Sequence, residues 1–314
     1  MENINISHRF KFMLLRLRTF LISHSKNIIK IAFSFLIVLL IYFEGRKELV
    51  NLNLAASFSL LRSFDFIKLL LFFIAGSAAV SCMTLYDYFI IKSLKYKISL
   101  LKTFRISWIS NTFNNFLGFG GLTGAGIRTI LYKEENIPNK ECLFINVLIV
   151  PATTTGLSLF ALLGLFNILP IKPILAEHKW FSIVVISFAL YLFVYLLLFK
   201  IKWVRKKILP KGISVINSAP LRIELIFASI FEWVGAGLFF WYVISSFIIT
   251  ISPLQVFSIL TVAASVGILS LVPGGLGSFD LVSILGLQLV GASLVKLLQY
   301  YLYTEFSIML YLGY

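Results

Sequence analysis

Ionisable and amide side chains inside long apolar stretches are the residues of this sequence that could do chemistry. A charged side chain at membrane depth is costly unless it is paired or reached by water, so each one is a candidate for function. Carboxylates can bind ammonium groups, and a guanidinium can bind a phosphate. The candidates for a substrate path are Asp87, Asn114, Asn115, Arg128, Glu224, Glu232 and Asp280.

Glu232 is the deepest of these charges in a regular apolar segment. It lies ten residues beyond Arg222, which is about 15 Å along a helix and near the middle of a hydrocarbon core about 30 Å thick. Arg128 closes one Gly-rich run, and Asp280 follows a second one. Both are expected near the middle of the membrane if the two runs meet there.

Each candidate also has a purely structural alternative. Glu232 and Arg128 could form a buried pair with no further role. Asp87 and Glu224 could be interfacial residues that pair with nearby lysines or arginines. Asp280 could cap a helix N-terminus, although a cap and a ligand for a headgroup can be the same residue.

The composition decides the environment of these residues. Hydrophobic residues make up 59% of the 314 residues and charged residues 13%, with a formal net charge of +15. A soluble domain has about half apolar and about a quarter charged residues, so we predict a membrane protein. The excess of basic residues indicates that the protein contacts the anionic inner face of a membrane rather than a nucleic acid. The length allows at most about a dozen spans of about 20 residues, without a large soluble catalytic domain.

Motifs for enzymatic chemistry are absent from the sequence. It contains no phosphate-binding loop motif, no dinucleotide fingerprint and no serine nucleophile elbow. Cys82 and Cys142 lack paired spacing, and the histidines are scattered, so we expect no disulfide, metal site or cofactor. Transport by this chain is therefore expected to be passive or coupled to a gradient.

Hydropathy predicts an all-α polytopic membrane protein. Residues 1–30 have the pattern of a basic amphipathic helix on the cytoplasmic leaflet. A retained first span is predicted at 31–43, which places the N-terminus inside. In all we expect about six full spans, two Gly-rich re-entrant hairpins and a short C-terminal apolar segment. The further apolar segments are 67–91, 142–169, 180–199, 223–249, 254–272 and 279–295.

Basic clusters between the apolar segments set the predicted topology. Segments 92–105 and 200–211 carry five and six basic residues without an acid, which predicts that both are cytoplasmic. The full spans 142–169 and 180–199 lie between them, so segment 106–127 must enter and leave on the same side. Asn and Gly residues in that segment do not suit a lipid-facing helix. We predict a re-entrant hairpin containing Gly118, Gly120, Gly121, Gly124 and Gly126.

The second Gly-rich region repeats this design. Gly120-Gly121-Leu122 and Gly274-Gly275-Leu276 are offset by 154 residues, and the preceding apolar segments follow the same order. An odd number of spans separates the two units, which predicts an inverted repeat with a substrate site near the midplane. The predicted units are repeat 1 at about 31–169 and repeat 2 at about 180–314, together a transmembrane domain at 31–314. The second hairpin contains Pro273, Gly274, Gly275 and Gly277.

The two Gly-rich motifs carry a resemblance to a known family. The segments 114–121, 126–128 and 272–280 resemble those of the multiple peptide resistance factor family, bacterial membrane proteins that make and flip lysyl-phosphatidylglycerol. The resemblance covers nearly the whole chain and is strongest to the flippase half. It places Asp87, Arg128, Glu224 and Asp280 on the polar positions of the flippase core. In that family, further spans and a cytosolic transferase domain that uses aminoacyl-tRNA follow, and neither occurs before Tyr314.

The resemblance implies a multi-pass flippase of the bacterial plasma membrane. Its substrate would be lysyl-phosphatidylglycerol or a similar aminoacyl phospholipid, and its effect would be resistance to cationic antimicrobial peptides. A homo-oligomer or a separate synthase is an implied partner, and no nucleic acid is expected to bind. Three alternatives are open: a transporter of another lipid such as a polyprenyl-linked sugar, a non-transporting partner of a synthase, and a truncated phosphatidylglycerol lysyltransferase.

Overall fold

The computed structural model describes residues 65–117, 122–198, 219–246, 251–270 and 277–291, which form ten α-helices without a strand. The predicted amphipathic helix, the span at 31–43, the basic segment at 200–211 and the C-terminal apolar tail lie outside these ranges. The helices are α1 Phe66–Ser81, α2 Thr84–Ser93, α3 Leu100–Leu117, α4 Leu122–Glu134, α5 Asn139–Leu165, α6 Lys172–Glu177, α7 Lys179–Leu198, α8 Ala219–Ser245, α9 Pro253–Ser270 and α10 Ser278–Leu289.

Five helical stretches of the described residues are long and apolar enough to cross a membrane. Helices α1 and α2 form one of them together, and α5, α7, α8 and α9 are the others. The first four match the segments predicted as spans, and α9 matches the apolar segment 254–272. Helices satisfy their own backbone hydrogen bonds, which lipid cannot do. The all-α polytopic membrane class is therefore confirmed.

Three of the helices end in the same way. Lys95, Asn136 and Asn167 have positive φ angles of 62°, 63° and 63°, and each follows the end of a helix. The amide after each of them bonds to a carbonyl five residues back, as in Tyr96 to Ile91 and Ile137 to Tyr132. This hydrogen-bond pattern stops a helix within two residues and turns the chain sharply. Short connections therefore join α2 to α3, α4 to α5 and α5 to α6.

Helices α3 and α4 pack against each other as a hairpin. The Nζ atom of Lys102 in α3 lies 2.9 Å from a carboxylate oxygen of Glu135, just beyond the end of α4. The hydroxyl group of Tyr96, before α3, donates to Glu141 in the first turn of α5 at 2.7 Å. The chain therefore returns to the end at which it entered, which is the geometry that a re-entrant hairpin requires. Its placement in the membrane stays a prediction.

The charges at the open end of this hairpin are solvent-facing. All five basic residues of segment 92–105 are exposed, as the topology prediction requires. Burial and the hydrogen bond to Glu141 raise the pKa of Tyr96 to about 12. Its hydroxyl group therefore stays protonated near neutral pH and keeps α5 tied to the start of α3.

Helices α9 and α10 form the second hairpin. The hydroxyl groups of Ser270 and Ser278 lie 2.9 Å apart where the two helices face each other near the tip. This hairpin packs on the C-terminal part of α5, where the Phe160 and Phe257 rings lie 5.4 Å apart. The first hairpin contacts the N-terminal part of α5 through Asn146. The two hairpins therefore occupy opposite ends of α5, as an inverted repeat predicts.

The hairpins also share buried polar positions. Ser107 and Asn111 on α3 correspond to Thr261 and Ser265 on α9 at the 154-residue offset, and all four are buried. Hydroxyl groups of α9 bond to carbonyls of their own helix, as in Thr261 to Phe257 and Ser265 to Thr261. Asn111 bonds to Ser107 of its own helix and also accepts a hydrogen bond from Arg128 on α4. The shared positions are those that an inverted repeat would give, and the repeat stays a prediction.

The topology has a direct test at the open end of the first hairpin. In a chain without Cys82 and Cys142, Lys133→Cys should react with an impermeant maleimide only from the cytoplasm, because Lys133 is exposed near the end of α4. Lys179→Cys, at the start of α7, is the control and should react only from outside. Labelling of Lys133→Cys from outside alone would mean a full crossing by the first hairpin.

Candidate functional site

Arg128 is the centre of a buried polar site between four helices. Its Nε atom lies 3.0 Å from Oδ1 of Asp87 on α2, and the exposed fractions of the two side chains are 4% and 0%. Its two other guanidinium nitrogens donate to Oδ1 of Asn111 on α3, at 2.9 Å, and to Oδ1 of Asn146 on α5, at 3.2 Å. One side chain of α4 therefore holds α2, α3 and α5 together.

The partners of Arg128 are themselves held in place. Tyr132 lies one turn further along α4 and donates its hydroxyl proton to Oδ1 of Asp87 at 2.8 Å. The Asn111 amide donates to Ser107 at 3.0 Å, and the Asn146 amide donates to Thr129 at 3.1 Å. Each amide oxygen is thereby directed at the guanidinium. We name this site the Arg128 cluster: Asp87, Asn111, Arg128, Tyr132 and Asn146.

The Arg128 cluster has unused hydrogen-bonding capacity. Within the described residues, Oδ2 of Asp87 has no hydrogen-bond partner, although its side chain is fully buried. The same holds for buried oxygens of Ser110 and Asn114, which lie four positions apart on one face of α3. Buried polar atoms are nearly always satisfied in proteins. The acceptors on this side of α3 therefore suit a ligand that donates hydrogen bonds, such as an ammonium group.

The structure corrects two of the pairings considered from the sequence. Arg128 pairs with Asp87 and not with Glu232, so the structural alternative of a buried Arg128–Glu232 pair is wrong. Asp87 is fully buried and pairs with Arg128 rather than with a basic residue close to it in sequence, while its depth in the membrane stays a prediction. The reason lies in the hairpin, which folds α4 back beside α2 and delivers Arg128 to an acid 41 positions earlier in the chain.

Glu232 lies at a second polar site, at the midpoint of α8. Its Oε2 atom accepts a hydrogen bond from the hydroxyl group of Tyr86 on α2 at 2.5 Å. Part of its side chain is left uncovered by the described residues. Tyr86 directly precedes Asp87, so a single turn of α2 contacts both sites.

Helix α5 lacks a backbone hydrogen-bond donor one turn before the part that packs on α8. Pro151 lies inside α5, where it cannot donate an intrahelical hydrogen bond. The Thr153 carbonyl accepts from the Ser229 hydroxyl at 2.9 Å and from the Trp233 indole at 2.7 Å. The Gly156 amide donates to the same Ser229 hydroxyl at 2.7 Å. Polar groups of α5 and α8 thus meet at the middle of both spans, where a missing backbone hydrogen bond is tolerated if protein partners satisfy the freed groups.

The first span is interrupted at this level. Between α1 and α2, the amides of Cys82 and Met83 bond to the carbonyls of Ala79 and Val80, three residues back. The Ala78 carbonyl accepts instead from the Cys82 thiol at 3.6 Å. A short three-residue pattern inside a helix often marks a hinge. We name the second site the Glu232 layer: Cys82, Tyr86, Thr153, Ser229, Glu232 and Trp233.

The other predicted site residues fall in different places. Asp280 is in the first turn of α10, and its Oδ2 atom accepts from the Gly277 amide at 2.8 Å, so it does cap that helix. Glu224 is half-buried near the start of α8, about 12 Å along the helix from Glu232. Asn114 lies on α3 beside the Arg128 cluster. Asn115 is also on α3, but its side chain is outside the described part.

The predicted glycines are divided between helices and undescribed segments. Gly124 and Gly126 lie in the first turns of α4 rather than in a loop. A Cβ atom on Gly124 would lie 2.7 Å from Cβ of Asn114, so glycine there allows α3 and α4 to approach closely. Gly277, with φ of 78°, precedes α10. The remaining predicted hairpin residues lie outside the described ranges: Gly118, Gly120, Gly121, Pro273, Gly274 and Gly275.

Several members of the two sites were missed from the sequence. Asn146 stands inside an apolar span, where an amide is itself a sign of helix contact. Tyr132 follows Arg128 at the spacing that puts two side chains on one face of a helix. Tyr86 and Asn111 carried no signal that separates them from the many other tyrosines and asparagines.

Comparison with known proteins gives consistent matches. A family model described as the lysylphosphatidylglycerol synthase TM region matches residues 27–309. The chain is 36% identical over 265 residues to a phosphatidylglycerol lysyltransferase of Bacillus subtilis (strain 168), covering 84% of this chain and 31% of that protein. It is 28% identical over 281 residues to one of Staphylococcus aureus (strain MRSA252), covering 90% of this chain and 32% of that protein. The chain thus spans about a third of the length of these relatives.

Proposed function

The chain belongs to the lysylphosphatidylglycerol synthase TM-region family, and on that basis we propose that it translocates lysyl-phosphatidylglycerol from the inner to the outer leaflet of the bacterial plasma membrane. The observation that carries the proposal is the buried ion pair between Arg128 and Asp87. A buried pair is weak evidence for stability, because apolar residues of the same volume often stabilise as well. Such a pair at the junction of two spans and a hairpin suits a site for a charged headgroup.

The chemistry of the headgroup is complementary to the Arg128 cluster. Lysyl-phosphatidylglycerol carries one phosphate and two ammonium groups. The phosphate can replace Asp87 on the guanidinium of Arg128, and an ammonium group can replace Arg128 on the carboxylate of Asp87. Each protein charge then stays paired throughout the exchange, which avoids the cost of an isolated buried charge. The unused acceptors on α3 add partners for the ammonium group.

The arrangement of the two sites supports a path between the leaflets. The Arg128 cluster involves the N-terminal part of α5, and the Glu232 layer lies at its middle. Tyr86 and Asp87 are adjacent on α2 and contact one site each. A headgroup that leaves the Arg128 cluster can therefore pass its second ammonium group to Glu232. The turn at Cys82 and the proline at position 151 are where the surrounding spans can bend.

Moving this headgroup outward has an electrical cost. The net charge of the lipid is about +1, and a potential of 100 mV, negative inside, opposes its export by about 2.3 kcal/mol. An inner-leaflet excess of roughly 50-fold balances that cost. Synthesis of the lipid on the inner leaflet is one source of the excess. Export lowers the negative charge of the outer leaflet, so cationic antimicrobial peptides bind it less strongly.

The test measures lipid in each leaflet of cells that synthesise lysyl-phosphatidylglycerol. An impermeant amine-reactive reagent counts the lysylated lipid of the outer leaflet, with and without this chain. We expect the outer-leaflet fraction to rise severalfold with the chain, and Lys102→Gln, which breaks only the exposed Lys102–Glu135 pair, should behave like the unchanged protein. An unchanged leaflet ratio would refute the proposal.

The same experiment separates the alternatives. A transporter of another lipid would move a polyprenyl-linked sugar but leave lysylated lipid in place. A non-transporting partner of a synthase would raise the total amount of lysylated lipid without changing its distribution. A lysyltransferase would transfer lysine from tRNA to phosphatidylglycerol when the purified chain is supplied with both.

A further inference from the structure

The two acids at the polar sites have different partners. Asp87 forms an ion pair with Arg128, whereas Glu232 accepts a hydrogen bond from the neutral hydroxyl group of Tyr86. In the part of the chain that the structure describes, the ion pairs are Asp87 with Arg128 and Lys102 with Glu135, and neither includes Glu232. A carboxylate at the middle of a span is costly unless a cation or a proton neutralises it.

Among the described residues, the helices that pack against α8 supply no fixed counter-charge for Glu232. Helix α9 contains no titratable residue, and α2 presents Tyr86 while the adjacent Asp87 faces Arg128. Two other titratable groups lie near this carboxylate: Cys82, and Tyr195, which lies close to Tyr86. The remaining ones on the packed helices are Tyr88 in the middle of α2 and, near helix ends, Lys68 on α1, Lys92 on α2, Lys140, Glu141 and Cys142 on α5, and Arg222, Glu224 and Tyr242 on α8.

The surroundings of Glu232 allow the group that neutralises its carboxylate to change. Its side chain is only partly covered by the described residues, so a proton or a small cationic group can reach it. Three residues further along α8, a Cβ atom on Gly235 would lie 3.2 Å from the Cys82 sulfur and 3.4 Å from Cα of Ala79. The interrupted segment between α1 and α2 therefore packs directly beside this part of α8, and bending there changes what Glu232 faces.

We propose that Glu232 exchanges a proton for the lipid ammonium group, so that one proton enters the cell for each lysylated lipid exported. This inference rests on the proposed function. On the inner side, the carboxyl group releases its proton to the cytoplasm and the carboxylate pairs with the ammonium group. On the outer side, a proton from outside binds the carboxylate and the lipid departs. Glu232 is neutralised in both halves of the cycle.

The exchange changes what drives export. A lipid of net charge about +1 moves outward as one proton moves inward, so no net charge crosses the membrane. The membrane potential then no longer opposes export, and the roughly 50-fold inner-leaflet excess is not needed. A pH difference, acidic outside, drives the lipid outward instead, by about tenfold in leaflet ratio for each pH unit.

The experiment uses the full chain in vesicles of phosphatidylglycerol with a small fraction of lysyl-phosphatidylglycerol. The potential is held at zero with valinomycin and equal potassium, and pH 5.5 is set outside against pH 6.5 inside, where the lipid amines stay protonated. We expect about tenfold more lysylated lipid in the leaflet that faces the acidic side. At equilibrium the ratio does not depend on which way the protein is inserted.

Variants assign the effect to Glu232. Glu232→Gln keeps an oxygen that can accept the Tyr86 hydroxyl proton but cannot carry the exchanged proton, and its leaflet ratio should stay near one under the same pH difference. Glu177→Gln, which neutralises an exposed acid on α6, should keep the tenfold ratio. A tenfold ratio with Glu232→Gln would overturn the assignment. If the wild-type protein flips the lipid but gives a leaflet ratio that does not depend on the pH difference, the proton exchange is overturned. If the wild-type protein does not flip the lipid at all, the proposed function is refuted.

A second measurement needs no variant. A hydrophobic carbodiimide reacts with a protonated carboxyl group, and mass spectrometry locates the product. In wild-type vesicles, modification of Glu232 should increase as the pH is lowered and fall severalfold when lysyl-phosphatidylglycerol is added. If the extent of Glu232 modification changes neither with pH nor with added lipid, the proposal is overturned. This test holds even if the Glu232→Gln variant does not fold.

Discussion

Replacing Arg128 with alanine is expected to destabilise the protein by about 3–5 kcal/mol, the usual cost of leaving one member of a buried ion pair without its partner. Asp87 would stay fully buried with its carboxylate uncompensated, and the amide oxygens of Asn111 and Asn146 would lose their donor. Thermal unfolding in detergent measures the change. The leaflet assay on the same variant should show export of lysylated lipid reduced at least tenfold.

A double variant separates the structural role of this pair from its role in export. Asp87→Asn with Arg128→Gln removes both charges and keeps hydrogen-bonding groups of similar size, so most of the stability should return. Export should stay at the level of the Arg128 single variant. Lys102→Gln is the matched control, because it breaks an exposed pair worth about 0–1 kcal/mol. Wild-type export by the double variant would mean that the Arg128 cluster only supports the fold.

Replacing Gly156 with alanine is expected to cost about 1–3 kcal/mol, and replacing it with valine more. A Cβ atom at this position would meet the Ser229 carbonyl oxygen and would lie 2.8 Å from Cδ1 of Trp233. Helices α5 and α8 would have to separate where Ser229 and Trp233 donate to the Thr153 carbonyl. The free energy of unfolding should fall, and export should fall with it because the Glu232 layer loses its shape.

Gly126→Ala provides the control for this substitution. Gly126 is also inside a helix, but apart from its chain neighbours and its own helical backbone no heavy atom of the described residues lies within 4 Å of the position that its Cβ would take. Alanine should therefore leave stability unchanged or raise it by up to about 1 kcal/mol, since it restricts the unfolded chain. Equal stability of Gly156→Ala and Gly126→Ala would contradict close packing of α5 against α8.

The two polar sites are connected by a single turn of α2. Tyr86 contacts Glu232 on α8, and Asp87 contacts Arg128 on α4. A rotation or bend of α2 that exposes one of these side chains necessarily moves the other. The proposed function and the proposed proton exchange thus both depend on the same element, next to the interruption at Cys82.

The positions of the polar residues could be predicted from the sequence, but most of their partners could not. Glu232 at the middle of α8 and the hairpin of α3 and α4 follow from hydropathy and loop charge. The pair of Arg128 with Asp87 does not, and the structure rules out the alternative pair of Arg128 with Glu232. Tyr86 and Glu232 are separated by 146 residues, so no local pattern relates them.

The sequence by itself determined the class of protein, four of its membrane-spanning segments and the resemblance that the family match confirms, because each depends on local composition or on short motifs. Only the tertiary structure decided which charges are compensated. Pairing depends on how each helix is rotated about its axis and on which distant helices approach it. In this protein those two factors give Asp87 an arginine and leave Glu232 with a phenol.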